Sequence, residues 1–411
     1  MKLYKRELYL KKIRGFYHDT QMIKVLTGVR RCGKSCILSM IQEELKEQGV
    51  PENNCIALNL DQREYLNVKT PEDLAAVLDE KSAAAAPGIK YIFIDEIQNV
   101  KNYEEIINAF REDGSYSIFI TGSNSYLLSG ELVTKLTGRY LEFEIYTLSF
   151  AEYLGMKKLY QKPIDPNPMI EFTHYILEGG FPKAVSYESL EDKRTYITNV
   201  VQEIFEKDIR QRVKIRHVSV FNRLRDYIIN NFGATISIAS IHRYFAKSEK
   251  IAIKRETIQR YIQILVDAKI IYPCLRFDLK SKKSLSGEQK YYLADLGFYF
   301  ALNTDNRINY GPVLENIVFF YAKSMGYKIS VGRIGKLECD FILRNSQMDY
   351  FYVQVSQTIA DPATEDREYR PLESIPDAYP KYVMTLDYLL QKRNGVTHVN
   401  LIDFLQNQKQ F

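Results

Sequence analysis

"GVRRCGKS" (28–35) follows a short apolar run, 22–27, and precedes a segment, 34–49, whose apolar residues recur at helical spacing. The pattern predicts a strand, a loop and a helix, and the loop matches the phosphate-binding motif GxxxxGK[ST]. In that motif, glycines let backbone N–H groups surround phosphates at the positive end of the helix dipole. The alternative is a glycine-rich turn that matches by chance, and the flanking strand and helix argue against it.

The loop and the first turn of the helix therefore predict a nucleotide site with ATP and Mg²⁺ as cofactors. Lys34 is expected to reach the β- and γ-phosphates, and the Ser35 hydroxyl is expected to bind Mg²⁺. The predicted nucleotide-contacting residues are Gly28, Val29, Arg30, Arg31, Cys32, Gly33, Lys34, Ser35 and Cys36.

Two adjacent acids end a second apolar run, "YIFIDEIQ" (91–98). In a sheet of this class, Asp95 holds Mg²⁺ and Glu96 orients or deprotonates the attacking water. The alternative is that both acids are only solvated residues at a strand end. With the phosphate loop upstream, we favour the catalytic interpretation.

Polar residues and one arginine follow at positions where related sheets place γ-phosphate contacts. "SIFITGSN" (117–124) ends in Ser123 and Asn124, either of which would sense the γ-phosphate. "LTGRYLEFEI" (136–145) contains Arg139, a candidate arginine finger in its own subunit or across an interface. A surface ion pair is the alternative for Arg139.

Together with "TLSFAEY" (147–153), "EGGFP" (178–182), "GPVLENIV" (311–318) and "ECDFIL" (338–343), these motifs cover nearly the whole chain. In this combination the sequence resembles a bacterial and archaeal family of AAA+-type ATPases with a C-terminal domain of unknown function. The resemblance implies ATP binding and hydrolysis, a lid and winged-helix region, and a restriction-endonuclease-like C-terminal fold.

The predicted fold class is α/β with several domains: a P-loop NTPase parallel sheet with flanking helices, a helical and winged-helix middle, and an α/β nuclease-like end. The expected divisions are an ATPase domain, a helical lid or linker, a winged helix and a degenerate PD-(D/E)XK-like domain, at 1–155, 156–220, 221–300 and 301–411.

The net positive charge of the chain is concentrated in its middle segment. Residues 193–260 hold 15 lysines and arginines against 6 acids, a local charge of +9, whereas the whole chain carries only +5. Residues 221–300 predict three helices and a hairpin, and the third helix buries Ile258, Tyr261, Ile262 and Leu265 on one face. The opposite face and the hairpin predict double-stranded DNA contacts through Lys254, Arg255, Gln259, Arg260, Lys282 and Lys283. The alternatives are docking of a DNA-associated or other protein, a lid module, and a basic face that is only solvated.

The last quarter predicts a nuclease fold with altered chemistry. Glu315 and Asp340 match the acids that bind Mg²⁺ in PD-(D/E)XK nucleases, and Glu338 alternates with Asp340 on one strand face. However, Gln354 stands where the second strand acid is expected, and Ser356 stands where the lysine is expected. We therefore expect a retired scaffold or binding platform, with an ATP-dependent nuclease as the alternative.

Composition supports a soluble cytoplasmic protein. Hydrophobic residues make up 45% and charged residues 26%, and the five scattered cysteines predict neither a disulfide framework nor a zinc site. No apolar run long enough for a membrane span or signal peptide is evident. The leading hypothesis is a Mg²⁺-dependent ATPase acting on DNA or a DNA-associated protein, with homo-oligomerisation possible in this class. A slow nucleotide-dependent switch is the alternative.

Overall fold

The computed structural model describes residues 3–122, 136, 138–210, 213–281, 283–303 and 308–411, without the side chains of 284–286. The chain divides into two compact units, Met1–Tyr146 and Thr147–Phe411. In the described residues, no helix combines the length and apolar character needed to cross a membrane. All five cysteines are free thiols.

A parallel five-stranded sheet forms the centre of the first unit. Its strands are β1 (Ile23–Thr27), β2 (Cys55–Asn59), β3 (Lys90–Asp95), β4 (Tyr116–Thr121) and β5 (Tyr140–Glu144). Their spatial order is β2-β3-β4-β1-β5, and every neighbouring pair is parallel. Strand β4 therefore lies between the strand before the phosphate loop and the strand that ends in the two acids. This arrangement confirms the predicted P-loop NTPase sheet.

Four described α-helices belong to this unit: α1 (Glu7–Ile13), α2 (Lys34–Glu47), α3 (Pro71–Ala83) and α4 (Tyr103–Asp113). Helix α3 begins where Thr70 and Asp73 cap each other, which satisfies backbone N–H groups at the helix start. Strands β1, β3 and β4 are almost wholly buried, as expected for parallel strands covered on both faces. Their carboxyl ends consequently meet at one edge of the sheet.

The second unit begins with helices and continues into a mixed sheet. Its described α-helices are α5 (Phe150–Leu159), α6 (Pro168–Glu178), α7 (Leu190–Glu203), α8 (Val218–Asn230), α9 (Ile238–Lys247), α10 (Arg255–Asp267), α11 (Gly297–Leu302), α12 (Tyr310–Met325), α13 (Pro362–Glu373) and α14 (Leu401–Gln406). A π-helical segment, Ile204–Arg210, continues α7.

Among the described residues, nine strands form the sheet of this unit: β6 (Thr235–Ser237), β7 (Ile271–Asp278), β8 (Lys283–Leu293), β9 (Lys328–Ile334), β10 (Leu337–Arg344), β11 (Tyr350–Val355), β12 (Lys381–Thr385), β13 (Lys392–Arg393) and β14 (Val396–Asn400). Their order is β13-β14-β12-β11-β10-β9-β7-β8-β6. Strands β7 and β9 pair in parallel, with Arg276 opposite Val331. One sheet thus runs through both residues 221–300 and residues 301–411, and the four-part division of the sequence stays a prediction.

Within the second unit, the buried carboxylate of Asp295 binds the backbone of the "EGGFP" segment (178–182). Asp295 Oδ2 accepts the Gly180 N–H at 2.8 Å, and its Oδ1 accepts the Gly297 N–H at 2.8 Å. A Cβ on Gly180 would lie 2.5 Å from the Leu148 carbonyl oxygen, so only glycine fits there. Burial raises the pKa of Asp295 to about 6. The motif therefore has a packing role in this fold.

Candidate functional site

The phosphate loop connects β1 to α2 at the carboxyl edge of the first sheet. Gly28 has φ +140°, and a Cβ on it would lie 2.1 Å from the Ile145 carbonyl oxygen. Gly33, with φ +104°, immediately precedes α2. Both glycines have a positive φ, which residues with a Cβ rarely adopt, and this explains why the motif needs glycine at both ends.

The Lys34 side chain folds back onto the phosphate loop that precedes it. Its side chain is buried, and Nζ donates to the carbonyl oxygens of Gly28 at 3.0 Å and Val29 at 3.1 Å. These carbonyls hold the ammonium beside the cradle where the motif predicts phosphates. Phosphate oxygens are stronger acceptors for an ammonium than neutral carbonyls, so this arrangement is suited to exchange partners when nucleotide binds.

The other residues of the loop differ in exposure. Arg30 is buried, whereas Arg31 and Ser35 are exposed. Cys32 is fully buried, and burial raises the pKa of the partly buried Cys36 thiol. Ser35 therefore presents its hydroxyl outside the packed core, while both cysteines are suited to packing rather than to thiolate chemistry.

Asp95 and Glu96 are joined through Thr121, a residue outside both sequence motifs. Thr121, at the end of β4, donates its hydroxyl to Asp95 Oδ1 and accepts the Glu96 backbone N–H at 3.2 Å. Asp95 and Thr121 are both buried. Because β4 lies beside β3, one hydroxyl binds both the Asp95 carboxylate and the backbone of Glu96. The signal available in the sequence was a threonine two residues before Ser123, the first of the predicted γ-phosphate contacts.

Glu96 has the surroundings of a proton acceptor. It has φ +58°, and its carboxylate accepts a hydrogen bond from the Gln98 side-chain amide. Burial raises the pKa of Glu96 above its ordinary value, against the opposing influence of Lys34 and Arg30. A raised pKa brings a carboxylate closer to the range in which general bases work.

Arg6 supports the phosphate loop from the amino-terminal segment, and nothing in the loop motif points to it. The side chain is only 3% exposed, and Nη1 donates to the carbonyl oxygens of Cys32 at 3.1 Å and Tyr146 at 2.9 Å. Its guanidinium also lies 4.5 Å from the centre of the Tyr9 ring. Arg6 thus ties α1 to the loop and to the strand end beside it.

Arg139 lies at the wrong edge of the sheet for a contact with its own phosphate loop. It directly precedes β5, and its carbonyl accepts the Ile23 N–H at 2.9 Å, at the start of β1. The loop follows the other end of β1, about 17 Å away for five extended residues. Arg139 instead donates to Asn108 Oδ1 at 3.1 Å. The described geometry does not bring Arg139 to the phosphate loop of its own chain, and its role as an arginine finger stays a prediction.

Ser123 and Asn124, the predicted γ-phosphate contacts, lie outside the described residues, as does Lys282 of the hairpin. Of the other predicted DNA-contacting residues, all are exposed: Lys254, Arg255, Gln259, Arg260 and Lys283. On the opposite face of α10, Ile258, Tyr261, Ile262 and Leu265 are buried, as their spacing predicts.

The predicted nuclease residues come together in the second unit. Asp340 Oδ2 accepts the Val355 N–H at 2.8 Å, and the Gln354 amide oxygen accepts the Asp340 N–H at 3.3 Å. The Gln354 amide nitrogen donates to Glu368 at 2.8 Å. Ser356 donates to a neighbouring carbonyl, that of Thr358, at 3.2 Å. The glutamine therefore serves backbone and side-chain partners within the fold.

The donor set of the first unit fits Mg²⁺. A serine hydroxyl at the start of α2 and a carboxylate at the end of β3 supply the hard oxygen ligands that this ion prefers. In the described part of the chain, no group of three or more His, Cys, Asp or Glu side chains is arranged to hold a metal ion. A Mg²⁺ ion here would thus share its coordination with phosphate oxygens and water, as is usual for nucleotide sites.

Comparisons with known proteins agree with this geometry. The model of an AAA domain matches residues 20–154, and the model of a domain of unknown function, DUF8612, matches residues 169–308. An uncharacterized protein of Haemophilus influenzae is 34% identical over 402 residues, which cover 97% of this chain and 98% of that protein. An uncharacterized protein of Methanocaldococcus jannaschii is 32% identical over 311 residues, 74% of this chain and 67% of that protein.

Among solved structures, a Walker-type ATPase of Pyrococcus abyssi aligns with a TM-score of 0.49 and 15% identity, over 73% of this chain and 96% of that one.

Proposed function

Because this chain belongs to the family of AAA+-type P-loop ATPases in which a domain of unknown function follows the AAA domain, we propose that it hydrolyses ATP with Mg²⁺. We further propose that its nucleotide state controls a winged-helix module and a degenerate nuclease-like domain. The target would be DNA or a DNA-associated protein.

The proposed nucleotide contacts follow from the described loop. Lys34 leaves the carbonyls of Gly28 and Val29 and binds the β- and γ-phosphates, while backbone N–H groups of the loop orient them. Ser35 and Asp95 would hold Mg²⁺, and the ion would supply positive charge beside the phosphate oxygens. Arg6 keeps the Cys32 carbonyl turned toward the guanidinium, and this restrains the loop backbone.

Glu96 is the proposed base for the attacking water. The single observation that carries the proposal is the Thr121 hydroxyl, which binds Asp95 and the Glu96 N–H together beside the strand before the phosphate loop. A retired nucleotide fold has no need to keep both acids fixed in this way. Ser123 or Asn124 would sense the γ-phosphate, and Arg139 would act only across an interface between chains.

DNA contact is proposed from the exposed polar face of α10. Lys254 precedes the first residue of α10, Arg255 begins the helix and Gln259 lies one turn later, and all three are exposed. The order α8, β6, α9, α10, β7, β8 supports the proposed winged helix. Basic and amide side chains are those that meet phosphates and base edges. The face also suits an acidic protein partner, so DNA dependence of the ATPase is the discriminating measurement.

The experiment is steady-state ATP hydrolysis with Mg²⁺, with and without duplex DNA at low salt. Lys34→Ala should abolish ATP binding, whereas Lys69→Ala, an exposed lysine of the same unit, should behave as the unaltered chain. Glu96→Gln should keep ATP binding and lose at least 100-fold in turnover, on the order of the contribution of general bases.

Three other results would contradict parts of the proposal. Unchanged ATP affinity in Lys34→Ala would refute the phosphate cradle, and unchanged slow turnover in Glu96→Gln would favour a nucleotide-dependent switch. A rate that DNA does not alter, and that Lys254→Ala/Arg255→Ala does not alter either, would favour a protein target.

A further inference from the structure

A buried lysine lies among three carboxylates in the second unit. Lys290, on β8, is 5% exposed. Its Nζ lies 2.9 Å from Glu315 Oε2, 3.2 Å from Glu338 Oε1 and 4.0 Å from Asp340 Oδ1. Glu315 belongs to α12, and the other two acids share one face of β10. The Lys290 ammonium therefore connects three elements, β8, α12 and β10.

Further donors fix the same carboxylates. They are the Tyr292 hydroxyl on Glu315 at 2.7 Å, Arg276 Nη2 on Glu338 at 2.8 Å, and the Val355 N–H on Asp340 at 2.8 Å. A buried ion group is stable only when its charges and lone pairs are satisfied in this way. The centre is thus complete with side chains and backbone of the chain alone.

We infer that the Lys290 ammonium is the resident cation of this centre and takes the place of the divalent metal that a PD-(D/E)XK nuclease would bind there. A metal ion needs the same carboxylate oxygens that Lys290 occupies, and the ammonium and the metal would repel each other at such short range. Residues 301–411 therefore lack nuclease chemistry for a reason beyond Gln354 and Ser356.

The charges around Lys290 favour an ammonium ion at this position. Burial lowers the pKa of Lys290, but the combined attraction of Glu315, Asp340 and Glu338 outweighs it, and the pKa ends above its ordinary value. Burial, and then Glu315, raise the pKa of Asp340, while Lys290 opposes the rise. Loss of the ammonium would leave Glu315 and Asp340 without the positive charge that lies against them here.

Removal of the ammonium should convert the centre into a metal site. Mn²⁺ binding to the nucleotide-free full chain would be measured by electron paramagnetic resonance for the unaltered chain and for Lys290→Ala. In the unaltered chain, we expect no Mn²⁺ whose binding depends on Glu315. The Lys290→Ala variant should bind one Mn²⁺ at this centre, and the double variant Lys290→Ala/Glu315→Gln should lose that ion. Lys328→Ala removes an exposed lysine of β9 in the same sheet and should gain no ion.

Two results would overturn the inference. One is Mn²⁺ bound by the unaltered chain and released by Glu315→Gln, since the lysine would then not exclude the metal. The other is a folded Lys290→Ala chain that binds no Mn²⁺, since the carboxylates would then not form a cation site at all. If the alanine variant fails to fold, Lys290→Ser, whose short side chain also leaves room for an ion, answers the same question.

Discussion

Thr121→Val tests whether one buried hydroxyl organises the two acids of the nucleotide site. Valine keeps the shape of threonine but leaves Asp95 Oδ1 without this donor and the Glu96 N–H without this acceptor. A hydrogen bond to a charged group contributes about 1.5–3 kcal/mol. With no nucleotide bound, this loss should lower the Tm of the first unit by roughly 4–10 °C.

The same change should impair hydrolysis. If the full contribution of the hydroxyl acts in the transition state, kcat falls by about 10- to 100-fold, because 1.4 kcal/mol corresponds to about tenfold. Thr121→Ser retains the hydroxyl and should keep most of the activity, so it is the matched control. The assays are thermal unfolding without nucleotide and steady-state hydrolysis at saturating ATP.

The reasoning fails if serine and valine reduce kcat equally, because the methyl group and not the hydroxyl would then matter. It also fails if valine lowers the Tm and leaves kcat unchanged, because Thr121 would then stabilise the fold without positioning Asp95 or Glu96.

Two other residues give direct tests. Since the pKa of Glu96 is raised, its carboxylate is protonated at a higher pH than usual, and kcat should fall on the acid side above the ordinary value of 4.5. Gln98→Ala removes a donor that lowers this pKa and should move the acid limb to higher pH in a kcat–pH profile; a move to lower pH would contradict the assignment. Arg6→Ala should raise the KM for ATP by about 5- to 30-fold, from the loss of roughly 1–2 kcal/mol of hydrogen bonding to the loop. Lys5→Ala, its exposed neighbour, should leave the KM unchanged, and an equal effect of both variants would indicate a general loss of α1.

The parts of the site that could be predicted from the sequence are those coded by neighbouring residues. The loop, the helix after it and the acids at the end of β3 depend on glycine spacing and apolar periodicity, which are local properties. The parallel sheet followed from the same runs. The packed face of α10 was likewise predicted from the spacing of Ile258, Tyr261, Ile262 and Leu265.

The remaining contacts could not be predicted because packing brings them together over long sequence separations. Arg6 reaches carbonyls 26 and 140 residues away, and Lys290 contacts Glu315 from a strand that precedes it by 25 residues. Arg139 shows the converse problem. Its motif is compatible with a phosphate contact, but the parallel direction of β5 places it at the opposite end of the sheet.

The pairing of β7 with β9 bears on how this chain can be divided for experiments. A fragment that ends at residue 300 would leave β7 with unpaired backbone groups along the edge that β9 covers. Exposed edges of this kind promote association between chains. Such a fragment would also lose the three acids around Lys290, so the Lys290 ammonium would have no carboxylate partners. DNA-binding assays on an isolated hairpin region would therefore report aggregation as readily as recognition, whereas a fragment spanning residues 147–411 retains the complete sheet.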